Sequence, residues 1–169
     1  SDQAKVAVFA KPLAALEVRR KQMASDEIGI ETRLAEFRVR MKEARRRLDD
    51  WNLAERGFDA IAAGLVKTYQ RGCKAMGRAY RDPTGENFHD WRKRVKYHWY
   101  HCRLLDSIWQ PVLSQRADLA KELSDYLGDE HDLDVLRATL LENPSEFGNE
   151  QDLQVLLALI ERRRVELRG

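Results

Sequence analysis

Cysteine is scarce: the 169 residues hold two, Cys73 and Cys102. They form no CxxC pair, which excludes a disulfide framework, argues against structural zinc on thiolates and fits a reducing compartment. Four prolines and nine glycines are too few for a chain broken by frequent turns. No apolar run approaches the roughly 18 residues that span a bilayer, and the N-terminus lacks the basic-then-apolar layout of a secretory signal. The expected setting is therefore cytoplasmic, with no membrane partner. Strand-like alternation, a Gly-rich phosphate loop and a GxSxG elbow are all missing, which removes the familiar nucleotide-binding and hydrolase signatures.

What is abundant is Arg, Lys, Glu, Leu and Ala, in a chain 43% apolar and 34% charged. That composition excludes general disorder and points to an all-α protein, an antiparallel bundle of long helices in one domain over residues 1–169. Apolar residues recur at helical spacing in seven segments, near 4–23, 27–48, 53–80, 86–107, 110–127, 130–142 and 150–167. Turn chemistry separates them at Ser25-Asp26, Asp49-Asp50-Trp51-Asn52, Asp82-Pro83-Thr84-Gly85, Gly128-Asp129 and Asn143-Pro144-Ser145. In the second segment Leu34, Phe37, Met41, Ala44 and Leu48 share one face, which reads as core packing.

Charge is unevenly distributed. The net +2 hides a stretch, residues 60–105, with ten bases against the three acids Asp82, Glu86 and Asp90, and a following stretch, 106–161, with three bases against thirteen acids. A solvated helix normally intersperses both signs, because like charges three or four residues apart repel. Lys67, Arg71, Lys74, Arg78 and Arg81 instead fall within about 80° of one helix at 100° per residue. His89, Arg92, Lys93, Lys96, Tyr100 and Arg103 repeat the pattern on the next helix, with Trp91, Val95, His98 and Cys102 on its opposite side. One such row alone reads most simply as a wet helix face. Two adjacent rows, joined by a short Asp-Pro-Thr-Gly turn, point to a groove for an anion of repeated charge, with Arg binding phosphate oxygens bidentately and Lys acting as a point charge. Gly64, Gly72 and Gly77 cost helix stability and suit close helix approach. His89 falls near a helix N-terminus capped by Thr84 or Asn87, where it would donate to a phosphate oxygen or hydrogen-bond a neighbouring loop.

The acidic stretch Leu123-Ser-Asp-Tyr-Leu-Gly-Asp-Glu-His-Asp-Leu-Asp-Val-Leu136 reads as a helix end with Gly128 as C-cap and Asp129 as N-cap of a new helix. Its acids would hold basic side chains of neighbouring helices or keep an outer face soluble. Two His-Asp dipeptides, His89-Asp90 and His131-Asp132, raise a metal-dependent phosphohydrolase as a further reading, but Arg92 and Lys93 beside His89 would repel a divalent metal. No catalytic residue, metal ligand or cofactor is assigned. Trp91, Trp99 and Tyr100 beside the cations leave an RNA- or DNA-binding module as the alternative to a phosphate polymer.

The stretch His89-Asp-Trp-Arg-Lys-Arg-Val-Lys-Tyr97 followed by Leu123–Leu136 resembles the CHAD domain, the conserved histidine α-helical domain, and Tyr69-Gln-Arg-Gly-Cys-Lys-Ala-Met76 with the Pro83-Thr84 turn extends the likeness across residues 60–140. The resemblance implies two related helical halves around a basic channel that binds inorganic polyphosphate. It carries over His89, Arg92, Lys93 and Lys96, with Arg71 and Lys74 from the preceding helix and Tyr97 and Tyr100 in support; Lys67, Arg78 and Arg103 join them from the charge rows. It also implies association with polyphosphate granules. A complete domain has an earlier histidine-bearing basic helix, and this chain has no histidine before His89. Ser1-Asp-Gln-Ala-Lys-Val6, with Gln3 where an Asp is often seen, resembles the mid-domain turn, so the chain is expected to lack the N-terminal helices and to be open to self-association. Arg38 and Arg45 are weaker candidates for the same channel.

Overall fold

Leu and Ala at helical spacing, interrupted at short turns, fold the described residues into α1 (Asp2–Ser25), α2 (Ile30–Asp49), α3 (Asp59–Arg81), α4 (Gly85–Leu104), α5 (Gln110–Glu142), α6 (Pro144–Phe147) and α7 (Glu150–Arg168), with one 3-10 turn at Asp106–Ile108. The structure, a computed structural model, describes residues 2–25, 29–52 and 54–169, with the backbone alone for 2–8 and 25. No strand occurs among them, and the chain has the expected all-α architecture. No helix among the described residues is long and apolar enough to cross a membrane. The break expected at Ser25-Asp26 and the side chains of the Ser1–Val6 stretch lie outside what is described.

Helix α4 is central: both α3 and α5 pack against it. Its start follows from local chemistry, since the Thr84 hydroxyl accepts from the Asn87 backbone N–H at 3.3 Å while the Asn87 amide donates to the Asp82 carbonyl at 2.8 Å. The α3/α4/α5 core gathers Ala75, Ala79, Phe88, Trp91, Val95, Ala120 and Leu127. Alanines on α3 and α5 let both helices approach the large side chains of α4 closely. A second core, Leu140, Phe147, Leu153, Leu156 and Ile160, joins the far half of α5 to α6 and α7, and Phe9 and Leu16 of α1 pack against it.

Two expectations are overturned. The segments 110–127 and 130–142 form a single helix of 33 residues, about 50 Å long, and Gly128 lies inside it instead of capping its end. The reason is packing: a Cβ at Gly128 would sit 3.3 Å from Nε and Nη2 of Arg92, so the glycine makes room for a side chain of α4. The apolar face of α2 is no core. Leu34, Phe37, Met41 and Leu48 are exposed, and among the described residues α2 packs against no other element. A smaller difference is that α3 begins at Asp59, after the turn residues 54–58, instead of near 53.

One carboxylate ties α7 to α5. Glu130, 1% exposed, accepts through Oε1 from Nη2 of Arg164 at 2.9 Å and from Nη2 of Arg168 at 2.6 Å. Asp134 also pairs with Arg164, at 2.7 Å. Its carboxylate closes on the N-terminal turn of α4, where negative charge is favourable, and a Cβ at Gly85 would collide with it. The guanidinium of Arg168 lies 4.8 Å from the Phe88 ring centroid, linking α7 to the same end of α4. Removing one member of a buried ion cluster strands the rest, at a cost of about 3 kcal/mol or more. Glu130→Ala should therefore lower unfolding free energy by about 3 kcal/mol in urea titrations, and Glu122→Ala, on an exposed turn of α5, by less than about 1 kcal/mol.

Candidate functional site

The basic rows of α3 and α4 meet at one acid. Asp90, on the second turn of α4, receives Arg78 of α3 at 2.6 Å through one oxygen, and Lys93 at 3.6 Å and Arg94 at 3.3 Å of its own helix through the other. A carboxylate with a cation from each row fixes the two rows side by side at this level. Farther along, Gly72 brings α3 against α4, where a Cβ would meet that of Arg94 at 3.6 Å, whereas Gly64 and Gly77 face open space.

Among the described residues Asp90 is the one acid paired with any base of α3 or α4. Lys67, Arg71, Lys74, Arg81 and Lys96 carry no ion pair there. Three acids of the C-terminal stretch are engaged elsewhere: Glu130 and Asp134 hold α7, and Asp125 holds Lys121 of its own helix at 2.6 Å. Lys67, Arg71, Lys74, Arg78, Arg81, Lys93 and Arg103 are exposed and Lys96 is half-buried.

The remaining assigned residues are positioned less uniformly. Arg92 turns toward α5, where its Nε donates to the Ser124 carbonyl at 3.4 Å over Gly128. Arg103 lies over the Trp99 ring at 5.3 Å and Arg94 over Tyr97 at 5.9 Å. Tyr97 and Tyr100 are exposed, with Tyr100 against Trp99. Trp91, 6% exposed, belongs to the core and Trp99 packs against it. Trp91 therefore spends its area on holding α3 and α5 to α4, while Trp99 is partly buried and Tyr100 stays exposed beside it.

Among the described residues His89 hydrogen-bonds no loop. Its ring meets that of His131 on α5, centroids 4.5 Å apart and planes 40° apart, so the two His-Asp dipeptides come together in space. The Nδ1 atoms of both rings are buried without a hydrogen-bond partner. Burial lowers the pKa of His89, and the neighbouring His131, Lys93 and Arg92 lower it further against the opposing pull of Asp90. Among the described residues no three His, Cys, Asp or Glu side chains gather as metal ligands.

The opposite side of α4 holds residues that pattern reading did not single out. Arg116 of α5 donates from Nε to Nε2 of His98 at 2.8 Å and lies over the Tyr69 ring at 5.4 Å. His98 is correspondingly held neutral, its pKa lowered by burial first and then by Arg116 and His101. Arg116 is one of three bases within an acidic stretch, so no periodic signal marked it. Arg94 counted toward the charge of its helix but sits outside the basic row.

With this geometry established, a comparison with protein-family models matches the CHAD domain over residues 1–141. The chain belongs to the CHAD domain family. Searches of curated proteins and of solved structures return no match. In this CHAD chain the match takes in α1 through nearly all of α5, including both basic rows, Asp90 and the His89/His131 pair. Helix α7, with Arg164 and Arg168, lies beyond it.

The two lowered histidines give stability a definite pH dependence. A histidine whose folded pKa lies below its unfolded value of about 6.5 is protonated first in the unfolded chain. Stability is therefore fully present above that value and falls as pH drops below it. The urea midpoint should decrease between about pH 7.5 and about pH 5.5, and should decrease less in the double variant His89→Gln/His98→Gln. An equal decrease in both proteins would assign the effect to other groups.

Proposed function

We infer that this CHAD domain chain is a non-enzymatic binding domain for inorganic polyphosphate, held along the paired basic rows of α3 and α4. The observation that carries the reading is the shared Asp90 carboxylate, which sets Arg78 of one row beside Lys93 of the other, while the longer run of cations has no acid partner among the described residues. Membership of a family of polyphosphate-binding modules supports the ligand class.

The residues assigned are His89, Arg92, Lys93, Lys96 and Arg103 on α4, and Lys67, Arg71, Lys74 and Arg78 on α3, with Tyr97 and Tyr100 packing beside them. Each turn of an α-helix advances about 5.4 Å, so a row of cations one turn apart presents a regular series of charges to a linear polymer of like spacing. Lys side chains act as mobile point charges and Arg side chains take phosphate oxygens through paired N–H groups. His89, neutral in the free protein, gains its proton more readily once a phosphate offsets Lys93 and Arg92. Affinity comes from charge neutralisation with release of counterions, and no bond is made or broken. The cytosol, at polyphosphate granules, is the setting this role implies.

Polyphosphate titrations at several salt concentrations test the reading. Lys93→Glu and Arg71→Glu should each weaken binding and flatten the slope of log affinity against log salt by about one or more, whereas Lys11→Glu on α1 should leave both unchanged. Unaltered affinity in the first two variants would reject the assignment, and displacement by RNA at equal phosphate concentration would favour the nucleic-acid alternative.

A further inference from the structure

Helix α2 is left alone by the rest of the described chain, yet it carries the apolar row Leu34, Phe37, Met41, Ala44 and Leu48. Phe37 is 59% exposed, and Met41, Ala44 and Leu48 line one concave strip with Trp51 just past the helix end. At 100° per residue, arginines flank this row on both sides: Arg38 and Arg45 on one, Arg33, Arg40 and Arg47 on the other. A row so apolar, so long and so regularly edged is built to be covered.

A complementary gap exists elsewhere in the molecule. Helices α3 and α5 both pack on α4 and meet each other through Arg116 over Tyr69, and between them lies a cleft of about 350 Å³. Trp91, Val95 and His98 form its floor, with Tyr69 and Met76 on one wall and Leu119 on the other, and the guanidiniums of Arg94 and Arg116 at its edges. The α5 wall continues as an exposed apolar row, Val112, Leu119 and Tyr126, in steps of seven. Three helices of an antiparallel bundle are in place, and the fourth corner is open.

The two features match in length and in charge. Leu34 to Leu48 and Val112 to Tyr126 are each fourteen residue steps apart, about 21 Å of helix. The outer face of α5 bears Asp118, Glu122, Asp125 and Asp129, opposite in sign to the arginines that edge the α2 row. Within one copy α2 stands clear of the cleft although only residues 50–58 join it to α3. A second copy can supply its α2 without any helix being repacked. Reciprocal docking of two such helices covers on the order of 2,000 Å², the size of a stable dimer interface.

We propose that the chain pairs with a second copy of itself, the α2 helix of each lying in the α3/α5 cleft of the other with its apolar row inward. The pairing is independent of any phosphate ligand, since the cleft is on the side of α4 opposite the basic row.

Native thiols make the test direct. Cys73 is exposed in the cleft wall and Cys102 is buried, so a single Met41→Cys substitution in the full chain places a partner thiol on α2. Treatment with a short bismaleimide should give a covalent dimer joined between position 41 of one chain and Cys73 of the other, identified by mass spectrometry of the peptides and absent in Cys73→Ser. Sedimentation of the unmodified chain at micromolar concentration should show a dimer. Phe37→Arg or Leu119→Arg alone should weaken it at least about tenfold with helical circular dichroism retained. Mixing the two variants should restore association, because one intact α2 then faces one intact cleft. A monomer, a dimer indifferent to both substitutions, or a cross-link confined to one chain, as when α2 folds back into its own cleft, would each overturn the proposal.

Discussion

A buried carboxylate with two guanidiniums on one oxygen, Glu130 with Arg164 and Arg168, decides where the negative charge of this protein goes. Withdrawn from water, those charges are tolerable only together, so α7 is fixed to α5 and Asp134 is drawn to the same place. Glu130 and Asp134 are thereby spent on α7, at the N-terminal end of α4, and neither pairs with the basic rows. What remains on α3 and α4 is a run of cations with Asp90 as the acid that pairs with them, and self-repulsion of that kind is stored free energy available to a bound anion.

Much of the architecture was legible because helical periodicity and capping are local. The Thr84 cap, the Asp-Pro turn and the apolar side of α4 with Trp91, Val95 and Cys102 follow from residues within a few positions of one another. Gly128 misled because Gly-Asp-Glu has the chemistry of a helix end. What kept α5 continuous was Arg92, a residue 36 positions away whose guanidinium occupies the space a side chain would take. The α2 row misled for a related reason: periodicity shows that a face is apolar, and says nothing of whether the surface covering it belongs to the same chain.

The candidate site divides in the same way. The rows themselves were readable, since a run of like charges at helical spacing is a property of sequence. Their junction at Asp90 was not, nor was the meeting of His89 with His131, because both depend on which helices become neighbours. Trp91 looked available for stacking on pattern alone, and the core claimed it, with Trp99 partly buried against it. Arg116 escaped notice as an isolated base among acids, although it organises the reverse side of α4 through His98 and Tyr69.

The central claim is that the cations of α3 and α4 act as one surface toward a phosphate polymer while those of the other helices do not. Lysine acetylation footprinting of the wild-type chain, with and without polyphosphate, measures this without altering a residue. Lys67, Lys74, Lys93 and Lys96 should be protected together, and Lys11, Lys21, Lys42 and Lys121 should react as before. Protection spread evenly over all lysines, or confined to the second group, would contradict the account.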